Sequence, residues 1–234
     1  LFLHGSLEVS IYLLHKARGL LKYVSSNCSE LEILTTEIKV IALQAVSCHY
    51  RGNISRSNYL LHLLDQKCLN SVDASHISTR LIAYGMINIF SGRFKDARIK
   101  LKKSVETLGI LSEGLLQNMV SLNLGWCLFF SGRLEETQTI ITNVMSYAMS
   151  TDHTALLVWT YQLDMLIKIF AGEFNKVEII AAKVKSISRK DMHSSGTSAI
   201  LGLSLIMQRK FDQALSHIRY ACGKLSHRNH VFLH

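Results

Sequence analysis

A five-residue pattern recurs along the chain: a large residue, any residue, glycine, any residue and a second large residue. The glycines of this pattern are Gly5, Gly52, Gly92, Gly132 and Gly172. A sixth copy has Arg209 in place of glycine, and successive copies lie 47, 40, 40, 40 and 37 residues apart. Self-similarity at a period near 40 residues predicts a repeat architecture, in which neighbouring units together bury a continuous core.

Side-chain size also repeats at fixed distances from this glycine. Residues no larger than valine stand five positions after it: Ser10, Ser57, Ala97, Thr137, Val177 and Ala214. The column nine positions after it is mostly large: Leu14, Leu61, Leu101, Ile141, Ala181 and Ile218. The column seven positions before it is small except at Met165: Ala45, Gly85, Gly125, Met165 and Gly202. The pattern predicts two helices that are joined at the glycine and pack closely where the side chains are small.

We therefore predict helical hairpins along most of the chain. First helices are expected at about residues 31–50, 73–90, 111–130, 152–170 and 191–207. Second helices are expected at about residues 7–23, 54–68, 94–107, 134–149, 174–187 and 211–224. Ser71 or Asp73, and Thr151 or Asp152, are the expected N-caps. The chain has no proline, a residue that breaks helix interiors.

The predicted fold is an all-α, right-handed α-solenoid of about six hairpins. Residues 1–224 are expected to form one domain, because no Gly-, Ser- or Pro-rich linker interrupts them. Residues 225–234 are expected to be a tail or a truncated next repeat. Since the chain begins at Leu1 without methionine, we expect it to be part of a longer polypeptide.

At these columns the chain resembles tetratricopeptide repeats (TPRs). It departs from their pattern in its period of 40 residues rather than 34, in its lack of the closing proline, and at Met165 and Arg209. Residues 121–133 and 151–171 look like the longer repeats that follow signalling NTPase modules in maltose-activator-like regulators and in soluble adenylyl- and guanylyl-cyclase-like proteins. The resemblance implies a helical-repeat segment with an ATPase or cyclase domain elsewhere in the parent protein.

The chain is basic, with 26 Lys and Arg residues against 17 Asp and Glu, a net charge of +9. This balance favours acidic partners, anionic surfaces or nucleic acid. A basic patch is expected on one second helix: Arg93, Lys95, Arg98, Lys100, Lys102 and Lys103. It either contacts an anionic partner or forms a solvated convex face. No aromatic residues that stack on bases are interleaved with these cations.

The first helices are expected to line a concave groove. In the register of the TPR motif, five side chains point into it: Met86, Asn123, Trp126, Trp159 and Gln162. Tryptophan suits this role because it combines a large apolar area with one polar group. Packing between neighbouring repeats explains the same residues equally well.

The sequence carries no motif for catalysis or for a cofactor. It has no phosphate-binding loop, no H-E-x-x-H and no G-x-S-x-G. Its five cysteines include no C-x-x-C pair, and the histidines near the end, His227, His230 and His234, are expected to be a frayed terminus rather than a metal site. The longest uncharged run, residues 114–132, contains polar amides and is expected to be a buried helix, so no membrane span is predicted.

These observations predict a non-catalytic protein-interaction or effector-sensing domain of a larger cytoplasmic regulatory protein. Its partner is expected to be a protein, a peptide or an adjoining domain of the same chain. Two alternatives stay open: a nucleic-acid-binding helical repeat, which the charge favours, and a sensor of a small ligand.

Overall fold

The computed structural model describes residues 7–20, 23, 28–69, 71–111, 114–187 and 191–226. All regular structure in these ranges is helical, in the order α1 (Leu7–Leu20), α2 (Glu30–Tyr50), α3 (Ile54–Cys68), α4 (Ala74–Phe90), α5 (Phe94–Ile110), α6 (Gly114–Phe130), α7 (Leu134–Ser150), α8 (Thr154–Phe170), α9 (Phe174–Ile187), α10 (Asp191–Met207) and α11 (Phe211–Ser226). Every predicted helix is present, and each end lies within three residues of the predicted one.

The glycine turns adopt the predicted left-handed conformation. The φ angles are +76° at Gly52, +70° at Gly92, +74° at Gly132 and +73° at Gly172, whereas Gly5 lies outside the described residues. The amide after the glycine bonds back into the helix, as in the 2.8 Å bond from Arg93 N to Asn88 O. This pattern satisfies carbonyl groups that the helix end would otherwise leave unpaired.

Two residues with side chains also occupy this left-handed region. Arg209, in the sixth copy of the turn, has a φ angle of +61°, and Asp152, between α7 and α8, has one of +50°. Because Asp152 forms this turn, the N-cap prediction for α8 is wrong: the cap is His153, whose Nδ1 accepts from Leu156 N at 3.2 Å. The prediction for α4 is confirmed at Asp73, whose carboxylate accepts from the Ser75 and His76 amides.

Contacts divide the chain into two compact units, Leu1–Cys127 and Leu128–His234, with the boundary inside α6. In the first unit α2 packs on α3, α4 packs on α5, and α4 packs on α2. In the second unit α8 packs on α7, α9 and α10, and α10 packs on α11. The α2–α3 hairpin thus joins its neighbour mainly through the first helices α2 and α4, whereas in the second unit α8 also packs on the preceding second helix α7, and α10 on α9. Whether residues 1–224 act as one domain stays a prediction.

The close approach within a hairpin depends on the small residue seven positions before the turn. A Cβ atom built on Gly85 would lie 2.6 Å from Cγ of Leu101, and one built on Gly202 would lie 2.8 Å from Cγ1 of Ile218. Leu101 is fully buried, so it has little room to move away. At these two hairpins, the large residue nine positions after the turn can pack only because the residue seven positions before the turn has no side chain.

Met165 breaks the small column, and the structure shows how the hairpin accommodates it. Met165 is fully buried on α8, and its counterpart nine positions after the turn is the small residue Ala181 on α9. Both belong to one buried cluster with Val158 and Val177. The large and small members of the facing pair have exchanged helices, so the volume at the contact is retained.

Arg209→Gly is predicted to stabilise the protein. It removes the steric cost of a left-handed residue with a Cβ, about 1–2 kcal/mol, and adds the backbone entropy cost of glycine, about 0.5–1 kcal/mol. We expect a net gain of about 1 kcal/mol, or a melting temperature higher by about 2–4 °C in calorimetry. Gly172→Arg, the reverse exchange at the equivalent turn, should lower it. An unchanged or lower melting temperature for Arg209→Gly would contradict this explanation.

The exchanged pair predicts strong coupling between Met165 and Ala181. Met165→Ala alone should cost about 2–5 kcal/mol through a cavity, and Ala181→Leu alone about 1–3 kcal/mol through overpacking. The double variant recreates the Ala45 and Leu61 pair of the α2–α3 hairpin. It should therefore be more stable than the sum of the single changes by about 2 kcal/mol in urea unfolding. Additive effects would show that the two residues do not share the contact.

Candidate binding cleft

The side chains predicted to line a groove are all partly buried: Met86, Asn123, Trp126, Trp159 and Gln162. Some of them have roles within the fold. Asn123 donates to Met119 O in its own helix at 2.8 Å, Gln162 donates from α8 to Thr197 Oγ1 of α10 at 3.3 Å, and Trp159 packs on the buried cluster around Met165. Their contact with a ligand stays a prediction.

The predicted basic patch lies on α5 and at the turn before it. Arg98 is partly buried, and the other five residues, Arg93, Lys95, Lys100, Lys102 and Lys103, are exposed. At 100° per residue Lys95, Arg98 and Lys102 share one side of the helix, whereas Lys100 and Lys103 point elsewhere. The cations thus surround the solvent side of α5 instead of forming one stripe. Its exposed residues include no aromatic side chain.

A cleft of about 810 Å³ opens in the first unit, between α3 and the second half of α4. From α3 it is lined by Ile54, Asn58, Leu61, His62 and Asp65, and from elsewhere by His49, Tyr84, Ile87, Ser91 and Arg93. The α3 residues share one helical face, and the helix rises by about 16 Å between the first and the last of them. A volume of this size is in the range of ligand-binding pockets.

The floor of the cleft is apolar and its walls are polar. Leu61 is 8% exposed and Ile87 is 3% exposed, and both belong to the buried core of the first unit. Asn58 and His62 are exposed on the α3 wall. The amide of Asn58 has no hydrogen-bond partner among the described residues. An occupant would therefore meet an apolar surface below and hydrogen-bonding groups at the sides.

A closed polar network occupies the end of the cleft far from the turns. Asp65 accepts from Arg80 Nε through Oδ1 and from Tyr84 Oη through Oδ2, both at 2.6 Å. Burial and the Asp65 carboxylate raise the pKa of Tyr84 to about 12, so the phenol stays a neutral donor. Arg80 also lies over the Tyr84 ring, 5.9 Å from its centroid. Both carboxylate oxygens of Asp65 are thus already hydrogen-bonded within the protein.

His49 and Ser91 face each other at the turn end, with Ser91 Oγ 3.0 Å from His49 Nε2. Ser91 Oγ also donates to Ile87 O at 2.8 Å, which uses its only proton. The hydrogen-bond network therefore assigns the proton of the His49 ring to Nε2. Nδ1 is then an acceptor; it is buried and has no hydrogen-bond partner among the described residues. Burial, and to a lesser extent Arg93, lowers the pKa of His49, so the ring is neutral at neutral pH.

A second histidine in the same unit shows what a structural histidine looks like here. His76 is almost fully buried, and both of its ring nitrogens are bonded, Nε2 to Thr35 Oγ1 at 2.8 Å and Nδ1 to Ser71 Oγ at 2.7 Å. An unpaired buried polar atom costs about 1–3 kcal/mol. The half-paired ring of His49 is therefore poorly explained by stability alone.

Two positions that are polar in the cleft are apolar at the corresponding places between α7 and α8. Phe129 stands where the first unit has His49, and Met145 stands where it has Asp65. Phe129 packs edge-to-face on Phe170 with 5.5 Å between ring centroids, and Met145 packs on a buried cluster. Apolar side chains thus occupy these two positions in the second unit.

One signal in the sequence identifies this difference. The position three residues before the turn is occupied by Ile89, Phe129, Ile169 and Ile206, and only in the α2–α3 hairpin by a polar residue, His49. His49 is not among the residues that the sequence predicted to be functional. Of those residues, only Arg93 lines the cleft.

Within the described ranges, no group of three or more His, Cys, Asp or Glu side chains could hold a metal ion. None of the described helices has the length and apolar character needed to cross a bilayer. The terminal histidines, His227, His230 and His234, lie outside these ranges.

Comparison with solved structures shows the fold. BtubC (BKLC) from P. vanneervenii is similar with a TM-score of 0.66 and 12% identity, over 96% of this chain and 93% of that one. The apo form of RapI gives the same TM-score with 11% identity, over 97% of this chain and 66% of that one. Both are helical-repeat proteins, and the likeness confirms the predicted fold class, an all-α solenoid. No protein-family model and no curated protein sequence matches the chain.

Tyr84→Phe is predicted to destabilise the first unit by about 1 kcal/mol, because it removes a hydrogen bond to a partly exposed carboxylate. Tyr147→Phe is the matched control: the Tyr147 hydroxyl, also on a partly buried residue, has no partner in the part of the chain that is described. Urea unfolding followed by circular dichroism should separate the two variants. Equal effects would show that the bond to Asp65 contributes nothing.

Proposed function

We propose that this chain is a non-catalytic recognition module that binds a short segment of a partner protein, or of an adjoining domain, in the cleft between α3 and α4. The observation that carries the proposal is the cleft itself, with its buried apolar floor, its polar walls and its unpaired Asn58 amide. The helical-repeat fold is compatible with this role, because it presents grooves between successive helices.

The dimensions of the cleft favour a peptide. An extended chain advances about 3.4 Å per residue, so a groove of about 16 Å accommodates four or five residues. A large partner would then be held through one linear segment, as in other groove-binding modules.

The histidine–serine pair of the cleft does not favour catalysis. A nucleophilic serine gives its proton to a base, but the hydroxyl proton of Ser91 is committed to Ile87 O. A catalytic histidine is oriented by a third group, but in the part of the chain that the structure describes Nδ1 of His49 has no hydrogen-bond partner. Asp65, the acid of the cleft, is occupied by Arg80 and Tyr84. The pair is better suited to shaping a binding surface.

The 40-residue period supports a more specific context. In this proposal the chain is the sensing segment of a larger cytoplasmic regulator of the kind that its repeats resemble, with an NTPase or cyclase module elsewhere. Occupation of the cleft would favour one arrangement of α3 and α4 over another, and thereby change how the segment packs on that module.

The test is to select peptides from a random heptapeptide display library on the purified chain and to measure their dissociation constants by fluorescence anisotropy. Asn58→Trp places a bulky ring in the cleft and should weaken binding at least tenfold. Glu178→Trp is the matched control, an exposed residue six positions after its turn glycine, as Asn58 is. It should leave the dissociation constant unchanged.

Two outcomes would overturn the proposal. One is that no peptide is enriched, or that Asn58→Trp binds the enriched peptides as tightly as the wild type does. The other is that the chain binds a 20-nucleotide RNA with an affinity that falls steeply with salt, whereas Lys95→Gln/Lys102→Gln removes that binding. The latter would favour nucleic-acid recognition through α5.

A further inference from the structure

We propose that the segment bound in the cleft carries a carboxylate two residues away from a large apolar side chain, with the carboxylate on Arg93 and the apolar side chain over Leu61 and Ile87. This inference rests on the function proposed above and specifies the chemistry of the ligand. It follows from which charges of the cleft are free, from the spacing between the cation and the apolar floor, and from the residue at position 49.

The charges that line the cleft favour an anion. Asp65 is neutralised by Arg80, so neither residue is available to a ligand. Arg93 has no ion-pair or hydrogen-bond partner for its guanidinium within the described ranges. Asp96 follows it by three residues, the spacing at which Glu136 pairs with Arg133, but the shorter side chain forms no such pair. Arg93 is therefore the free charge of the cleft, and it is positive.

The spacing between the free cation and the apolar floor selects a sequence pattern. Ile87 lies one helical turn, about 6 Å, before Ser91 and the turn that carries Arg93. In an extended peptide, residues i and i+2 project to the same side and lie about 7 Å apart. One side chain can then contact the floor at Ile87 and Leu61 while the second one reaches the guanidinium. Adjacent residues would point to opposite sides.

His49 keeps this end of the cleft open and polar. In the second unit the same position holds Phe129, whose apolar ring packs on Phe170. His49 instead turns a neutral ring toward Ser91 beside Arg93. Because it is neutral, it does not compete with Arg93 for the carboxylate. The unpaired Nδ1 makes this residue costly for stability, which is expected when a position serves binding.

The experiment uses fluorescein-labelled hexapeptide pools with acetylated and amidated ends. One pool fixes Leu-x-Glu and Glu-x-Leu, a second has glutamine in place of glutamate, and a third has Leu-Glu without the spacer. The wild-type protein should bind the first pool about fivefold more tightly than either of the others, since an exposed ion pair contributes modestly. Arg93→Gln should remove the preference for glutamate. Arg133→Gln, the matched arginine after the Gly132 turn, should retain it.

His49→Phe tests whether His49 serves binding or stability, because the two roles predict opposite changes in melting temperature. We expect this variant to melt at a higher temperature than the wild type and to bind the first pool at least fivefold more weakly. A lower melting temperature would show that His49 is needed for the fold and would remove it from the site. Equal binding of the glutamate and glutamine pools by the wild type would overturn the inference.

The outcomes separate this inference from the proposed function. If Asn58→Trp abolishes binding of all three pools but the pools do not differ, the peptide cleft stands and the acidic ligand is wrong. If Asn58→Trp changes the binding of none of them, the cleft itself is not the site. If 10 mM N-acetylglutamate displaces the first pool completely, the site takes a small carboxylate, and recognition of a peptide is overturned.

Discussion

In each hairpin the two helices can approach only as closely as one facing pair of side chains allows. Gly85 admits Leu101, Gly202 admits Ile218, and at the exception Met165 is matched by Ala181. One small member in each of these pairs lets the two helices come close, and the small residue can stand on either helix.

This constraint explains why so much of the fold could be predicted from the sequence. The turn glycines and the size columns are local and periodic, so they defined every helix within three residues. The predictions that failed or stayed incomplete concerned single residues. The cap of α8 moved to His153 because Asp152 takes the left-handed turn itself, and Met165 could be understood only together with a residue on the facing helix.

The cleft was harder to predict because it depends on the contact between two hairpins. The register of the TPR motif predicted a ligand site on the first helices, whereas one wall of the cleft is formed by the second helix α3. The lining of such a groove depends on side chains far apart in sequence, as His49 and Asp65 show against Phe129 and Met145. The column containing His49 carried the signal, but its meaning required knowing that His49 lines a cleft whereas Phe129 packs on Phe170.

The position of His49 has a consequence for protein engineering. A consensus built by averaging the hairpins of this chain would write isoleucine at residue 49, since the other copies have Ile89, Phe129, Ile169 and Ile206 there. Such an idealised repeat would be sturdier and would also lose the feature that sets the α3–α4 groove apart. Under the proposed function, averaging the copies at this position would weaken binding in the cleft.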